Sequence, residues 1–233
     1  MKPVVTRIGA AVSVVVAATA CGGGSRVVEG PFASTVTAAP VTTLPATTSP
    51  SRVLPEFAVP AYGIEPTTRR ALAPGEITCP APPGPTVAAR SPEPGSPELT
   101  VAVPEGFTEV RPRAETVRLT GPAGMSAEIA LTPTTLSAED DFRRYSDDRV
   151  ANSPINSLSV LPGDLCGYSG QKLMGILADR PGEGIEYADR IVHLWTNGGN
   201  FLAVVRLEAP GETPGFEQAQ SAMFTDFGIT MPG

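Results

Sequence analysis

From about residue 96 onward, apolar and polar positions along the chain recur with a regular period. Leu99, Val101 and Val103 alternate with Thr100 and Ala102 up to Pro104, the period-two pattern of a strand buried on one face. Val117-Arg118-Leu119 predicts a second strand, and Ser126 to Leu131 a third with Ala127, Ile129 and Leu131 on one face. The period then changes. Ser137 is placed to cap a helix, with Asp140 three residues on, and Glu139, Asp140 and Asp141 suit the positive end of its dipole. Leu136 precedes the cap as a staple, Phe142 and Tyr145 lie three apart, and Asn152-Ser153-Pro154 ends the helical pattern.

The second half of the chain predicts more sheet. Leu158 and Val160 suggest a short strand, Pro162-Gly163-Asp164 a turn, and Cys166 to Leu177 a longer strand or bulged pair interrupted at Gly167 and Gly170. Tyr187 to Trp195 and Phe201 to Glu208 are two long strand runs. The segment between them, Thr196 to Asn200, carries an Asn-Gly pair at its centre that supplies positive φ for a hairpin. In this register Val192 and Leu194 face Ala203, Val205 and Leu207 as one apolar surface. Ile191, His193, Trp195, Leu202 and Val204 form an opposite face for a helix to cover. A last helix from about Pro214 to Phe224 or Phe227 aligns Phe216, Ala219, Ala222, Met223 and Phe227 on one stripe and closes the fold. The expected class is α+β, an antiparallel sheet flanked by helices.

Before residue 95 the pattern dissolves, and composition takes over as the guide. Lys2 and Arg7 form a positive start, Ile8 to Ala18 an apolar run, and Ala18-Thr19-Ala20-Cys21 closes it in the manner of a bacterial lipoprotein signal. The run is too short for a hydrocarbon core of roughly 30 Å, so it predicts a processed segment, with Cys21 acylated (palmitate-type chains) as the first mature residue. A plain secretory signal that leaves Cys21 as a thiol is the alternative. Ala33 to Ser51 is almost wholly Ala, Thr, Pro, Val and Ser, a composition that buries too little apolar surface to offset the entropy of ordering. Its prolines favour an extended, semi-stiff spacer. Phe57, Tyr62 and Ile64 are isolated apolar residues, and Pro80 to Pro85 breaks any regular element. The division expected is a signal peptide at 1–20, an acylated start and disordered Pro/Thr/Ala-rich tether at 21–94, and a folded domain at 95–233.

Charge narrows the partners. Loss of Lys2 and Arg7 leaves 15 basic against 24 acidic residues, a formal charge near -9, which excludes nucleic acid and electrostatic adhesion to anionic lipid. The near absence of lysine (Lys2 and Lys172 alone), with abundant Arg, Ala, Pro and Gly, matches the codon bias of a high-GC genome. Outside the cytoplasmic membrane a disulfide persists, and with Cys21 acylated the candidates are Cys79 and Cys166; a free buried Cys166 is the alternative.

Candidate chemistry is sparse. A catalytic Cys166 would need His193, the sole histidine, beside it in a cleft, and a disulfide forbids that. Gly167-Tyr168-Ser169-Gly170-Gln171 lacks the spacing of a nucleophile elbow, Gly182-Glu183-Gly184 lacks the lysine of a phosphate loop, and the acidic trio 139–141 lacks the alternation of a calcium loop. No catalytic set, metal site or cofactor is expected.

The segment Gly95-Ser96-Pro97-Glu98-Leu99-Thr100-Val101-Ala102-Val103-Pro104-Glu105-Gly106-Phe107, together with the lipobox, the Thr/Pro tether, the central helix and the closing strand and helix, resembles the LpqN/LpqT lipoproteins of mycobacteria and their relatives. That resemblance implies a Mog1/PsbP-like α/β/α sandwich, an actinobacterial envelope location on the outer face of the cytoplasmic membrane, and no catalytic residues. Three functional classes follow. The first is a monomeric, non-catalytic module that binds a lipid, glycan or envelope protein in a cleft lined by Phe107, Tyr168, His193, Trp195 and Phe216. The second is an accessory subunit of an envelope transport or assembly complex, marked by an exposed apolar patch without a cavity. The third is a Cys-His enzyme.

Overall fold

The computed structural model describes residues 62–110 and 116–233. The expected signal segment, the expected lipidation site Cys21 and the expected tether up to residue 61 lie outside the described residues. Along them run β1 (Ile77–Cys79), β2 (Thr86–Arg90), β3 (Glu98–Ala102), β4 (Thr108–Glu109), β5 (Thr116–Thr120) and β6 (Ser126–Thr134). Helix α1 (Ala138–Val150) follows, then β7 (Ile155–Asn156), β8 (Ser159–Pro162), β9 (Ser169–Ala178), β10 (Ile185–Trp195), β11 (Asn200–Pro210), helix α2 (Phe216–Phe224) and β12 (Gly228–Thr230).

The large sheet is antiparallel throughout, in the order β4-β5-β6-β11-β10-β9-β7, with β8 also paired to β9. Its centre is the long hairpin read from the sequence, in register from Ile185 opposite Pro210 to Trp195 opposite Asn200. Strict alternation sorts its residues. Ala188, Val192, Leu194, Ala203, Val205 and Leu207 bury on one face, and Tyr187, Ile191 and Leu202 on the other. The turn differs from expectation: neither Asn197 nor Gly198 has positive φ. Asn197 instead uses its side chain, accepting from the Leu72 amide at 3.0 Å and donating to the Leu72 carbonyl at 2.7 Å.

Helix α1 covers the face with Tyr187 and Ile191, as the polar sprinkling there predicted. Ser137 caps it by accepting from the Asp140 amide at 3.1 Å, and Ser137 Oγ donates back to the Asp140 carboxylate at 2.8 Å. Phe142 enters a small core with Leu173, Tyr187, Ile191 and Leu202. The opposite face carries the larger core, closed by Phe216, Ala219, Met223 and Phe224 of α2 and by Leu99, Val101 and Ala89. Each large side chain so buried contributes about 1.5–3 kcal/mol of transfer free energy.

Two expectations need correction. A single sheet was expected, yet a second, four-stranded antiparallel sheet runs β1-β12-β3-β2. The final element is therefore the strand β12, which follows α2 and pairs with both β1 and β3. Residues 62–94 were also assigned to the tether, yet they belong to the folded domain: β1 and β2 lie in this sheet, and Leu72, Cys79 and Ala89 are buried in the larger core. β1 has three residues, and in β2 the apolar positions Val87, Ala88 and Ala89 are consecutive, so neither declares a period of two.

The disulfide joins Cys79, at the end of β1, to Cys166, in the loop before β9, with Cα atoms 5.7 Å apart. It ties the small sheet covalently to the large one.

Candidate functional site

Helix α2 presents Phe216, Ala219 and Met223 inward, at spacings of three and four, and leaves Gln218, Ser221 and Ala222 on its outer side. Its start has no side-chain cap. Its end is held by an arginine that the sequence places inside a strand. Arg190, buried among apolar side chains, donates through Nη1 to the carbonyls of Phe224 and Thr225 and through Nη2 to the Asp164 carbonyl at 3.1 Å. Two of these carbonyls belong to the last turn of a helix, which lacks intrahelical donors and interacts favourably with a cation. Burial lowers the guanidinium pKa, opposed by the carboxylates of Asp226 and Asp164.

Along the outer side of α2 runs a groove of 590 Å³. Pro80, Pro82, Pro83 and Pro85 form one wall; Ala102, Val103 and Pro104 lie between; Ser221, Ala222 and Thr225 of α2 form the other wall. The Cys79–Cys166 disulfide also lines it. A second hollow of 570 Å³ shares Pro104, Glu105 and Ala222 with the first and extends past Phe107, Pro122 and Pro214.

The chemistry of this groove is set by what it lacks. Proline has no amide hydrogen, so the walls offer few backbone donors. The Val103 amide is already bonded to the Pro85 carbonyl at 2.9 Å, and the Thr225 hydroxyl donates to the Ser221 carbonyl at 2.5 Å. Gln218 and Ser221 are the side-chain donors of α2 that line the two hollows, while Glu105 and Asp226 line them with carboxylates.

The five residues expected in one cleft do not converge. Phe107 alone lines a hollow of this groove. Phe216 is buried in the larger core. Tyr168 and Trp195 pack against each other at a tilt, ring centroids 5.7 Å apart and planes at 51°, and the Tyr168 hydroxyl donates to Thr78 Oγ1 at 3.2 Å. Burial raises that phenol's pKa. His193 lies on the α1 side of the large sheet, with Nε2 3.2 Å from the Leu136 carbonyl and 3.6 Å from Asp141 Oδ2. Cys166 is consumed by its disulfide, so it forms no thiol-imidazole pair with His193. Among the described residues, no group of three or more His, Cys, Asp or Glu side chains is arranged to hold a metal ion.

The groove residues went unrecognised in the sequence because Pro80 to Pro85 reads as an interruption. The signal that could have found them is the conjunction of that run with the small, polar outer face of the closing helix.

The other concentration of charge lies beneath α1. Asp189, fully buried, accepts from Tyr145 Oη at 2.8 Å and Arg149 Nε at 2.7 Å; Arg149 also donates to Glu208 at 2.6 Å, and Arg206 to Tyr145 Oη at 3.0 Å. Burial pushes the Asp189 carboxyl up against the pull of Arg149 and Arg206, and pushes the Tyr145 phenol well above its ordinary range. The Arg149 guanidinium also stacks over the Tyr187 ring at 4.3 Å. This network fastens the helix to the sheet.

No protein-family model matches the chain, and no curated protein sequence matches it. Among solved structures it is similar to LpqN, involved in cell envelope biogenesis of Mycobacterium tuberculosis, at 17% identity and a TM-score of 0.49 over 63% of this chain and 91% of that one. It is also similar to the Saccharomyces cerevisiae Ran-binding protein Mog1p, at 10% identity and a TM-score of 0.39 over 54% of this chain and 79% of that one. At these values the likeness carries no residue role, ligand or partner over to this chain.

Proposed function

We propose that this chain is a lipid-anchored, non-catalytic binding protein of the bacterial cell envelope, held through acylated Cys21 on the outer face of the cytoplasmic membrane, that receives a hydrocarbon chain in the groove along α2. The observation that carries the reading is the donor-poor proline wall. An extended peptide in that groove would leave its carbonyls without partners, at a cost of about 1–3 kcal/mol for each one buried. An acyl chain makes no such demand and gains about 0.8 kcal/mol for each methylene it buries. The groove and its continuation each fall within the roughly 300–1,000 Å³ of small-molecule sites. The carboxylates of Glu105 and Asp226 suit a neutral or hydroxylated head group better than an anionic one.

The test is native mass spectrometry with lipid extraction on the domain purified from its own envelope. A bound apolar adduct is expected, lost when Ala222→Trp fills the junction of the two hollows. An adduct-free mass in both proteins would sink the lipid reading and turn attention to a protein partner.

A further inference from the structure

We propose that the cleft between α1 and the β8–β9 edge is a carbohydrate subsite that takes a neutral pyranose. It lies on the other side of the large sheet from the α2 groove and is independent of it.

Its outer wall is a segment that joins no strand. Tyr62 to Glu65 is pinned across the end of β9: the Gly170 amide donates to the Gly63 carbonyl at 2.8 Å, Gln171 Nε2 to the Tyr62 carbonyl at 2.8 Å, and the Glu65 amide to Ser169 Oγ at 2.9 Å. The approach is possible because three glycines meet there. A Cβ on Gly63 would fall 1.8 Å from the Gly170 carbonyl oxygen, and one on Gly170 would fall 2.3 Å from that of Gly163. Gly63 also has φ of +75°, a conformation that L side chains rarely adopt. Three backbones brought together in this way place Tyr62 and Ile64 across from Phe142 and Arg143 of α1.

The open cleft between them measures 550 Å³. Its lining combines an apolar part, Tyr62, Ile64, Phe142 and Val160, with Glu139, Arg143, Ser146 and Gln171. That mixture matches a sugar ring, which has an apolar C–H face to lay on an aromatic side chain and a girdle of hydroxyls that both donate and accept. Glu139 supplies acceptors, Ser146 a hydroxyl that both donates and accepts, Gln171 its side-chain carbonyl, and Arg143 the donors left free by its bond to Asp140. Arg143 is already paired with Asp140 on α1, so Glu139 leaves the lining slightly acidic, which favours a neutral, hydroxyl-bearing sugar over a phosphate. Tyr62 is half exposed, as a stacking platform must be.

The test follows amide chemical shifts by NMR in the mature chain from residue 21, with Cys21→Ser, titrated with maltotriose, cellotriose and mannotriose. At least one of them should give saturable shifts around Tyr62, Phe142, Arg143 and Gln171. Tyr62→Ala, which removes no core contact, should weaken that binding about tenfold. Ala222→Trp in the α2 groove should leave it unchanged, which separates this subsite from the lipid reading. Absence of saturation with all three sugars, or binding that survives Tyr62→Ala at full strength, overturns the proposal.

Discussion

Glu76 shows how one carboxylate fixes a stretch of chain that has no regular structure. It accepts from the Ala73 amide at 2.9 Å and from both terminal nitrogens of Arg70, and these bonds hold its carboxyl at about 2, far below the ordinary 4.5. A carboxyl depressed in the folded state stabilises fully above its unfolded pKa and loses that contribution as pH falls through the folded value. The clip should therefore be intact above about pH 4.5 and released toward pH 2. Titrating the side-chain carboxyl by NMR checks this, and Glu76→Gln should abolish the corresponding part of the acid dependence of stability. At this scale the sequence is unevenly informative. Ser137 declares itself as a cap because the cap and its acidic turn are local. Arg190 does not, because the carbonyls it satisfies lie 26, 34 and 35 residues away. Asn197 reads as a turn former when its side chain is in fact spent on Leu72.

Helix α1 is fastened by few apolar groups, and Phe142 is its one fully buried hydrophobic residue. Most of the remaining attachment is ionic, through Arg149, Tyr145 and Asp189. Phe142→Ala should therefore cost about 3–5 kcal/mol in denaturant unfolding. Asp189→Ala should cost a similar amount, because Arg149, only 8% exposed, would lose its buried partner. The long elements of this fold were legible: the hairpin of β10 and β11 repeats its alternation many times, and α1 has a cap and a stop. Of the small sheet only β3 was. β1 has three residues and β12 three, and what makes them strands is pairing with each other across the chain, which no local period records.

For the whole molecule, the covalent tie between the sheets carries a large share of stability. Closing a loop with a sequence separation of 87 constrains the unfolded chain by about 4–5 kcal/mol on the chain-entropy account. A Cys79→Ser/Cys166→Ser double variant should lose about 2–5 kcal/mol in denaturant unfolding. Because the bond also lines the groove, the same variant should retain less of any apolar adduct seen by mass spectrometry. The pairing itself was legible from the cysteine count and the expected compartment. Its second role as part of a binding surface was not, since that depends on where the Pro80 to Pro85 wall comes to rest against α2.

The pairing of β1 with β12 also fixes an order of events. β1 has no other strand neighbour, and β12 is its bridge to β3. In a chain made N-terminus first, the segment bearing Cys79 has no strand partner until residues 228–230 arrive. The proline wall that follows it waits as well. The groove is thus among the last features to exist, and an interruption near Gly228 would leave a chain with its long hairpin formed and the α2 groove incomplete.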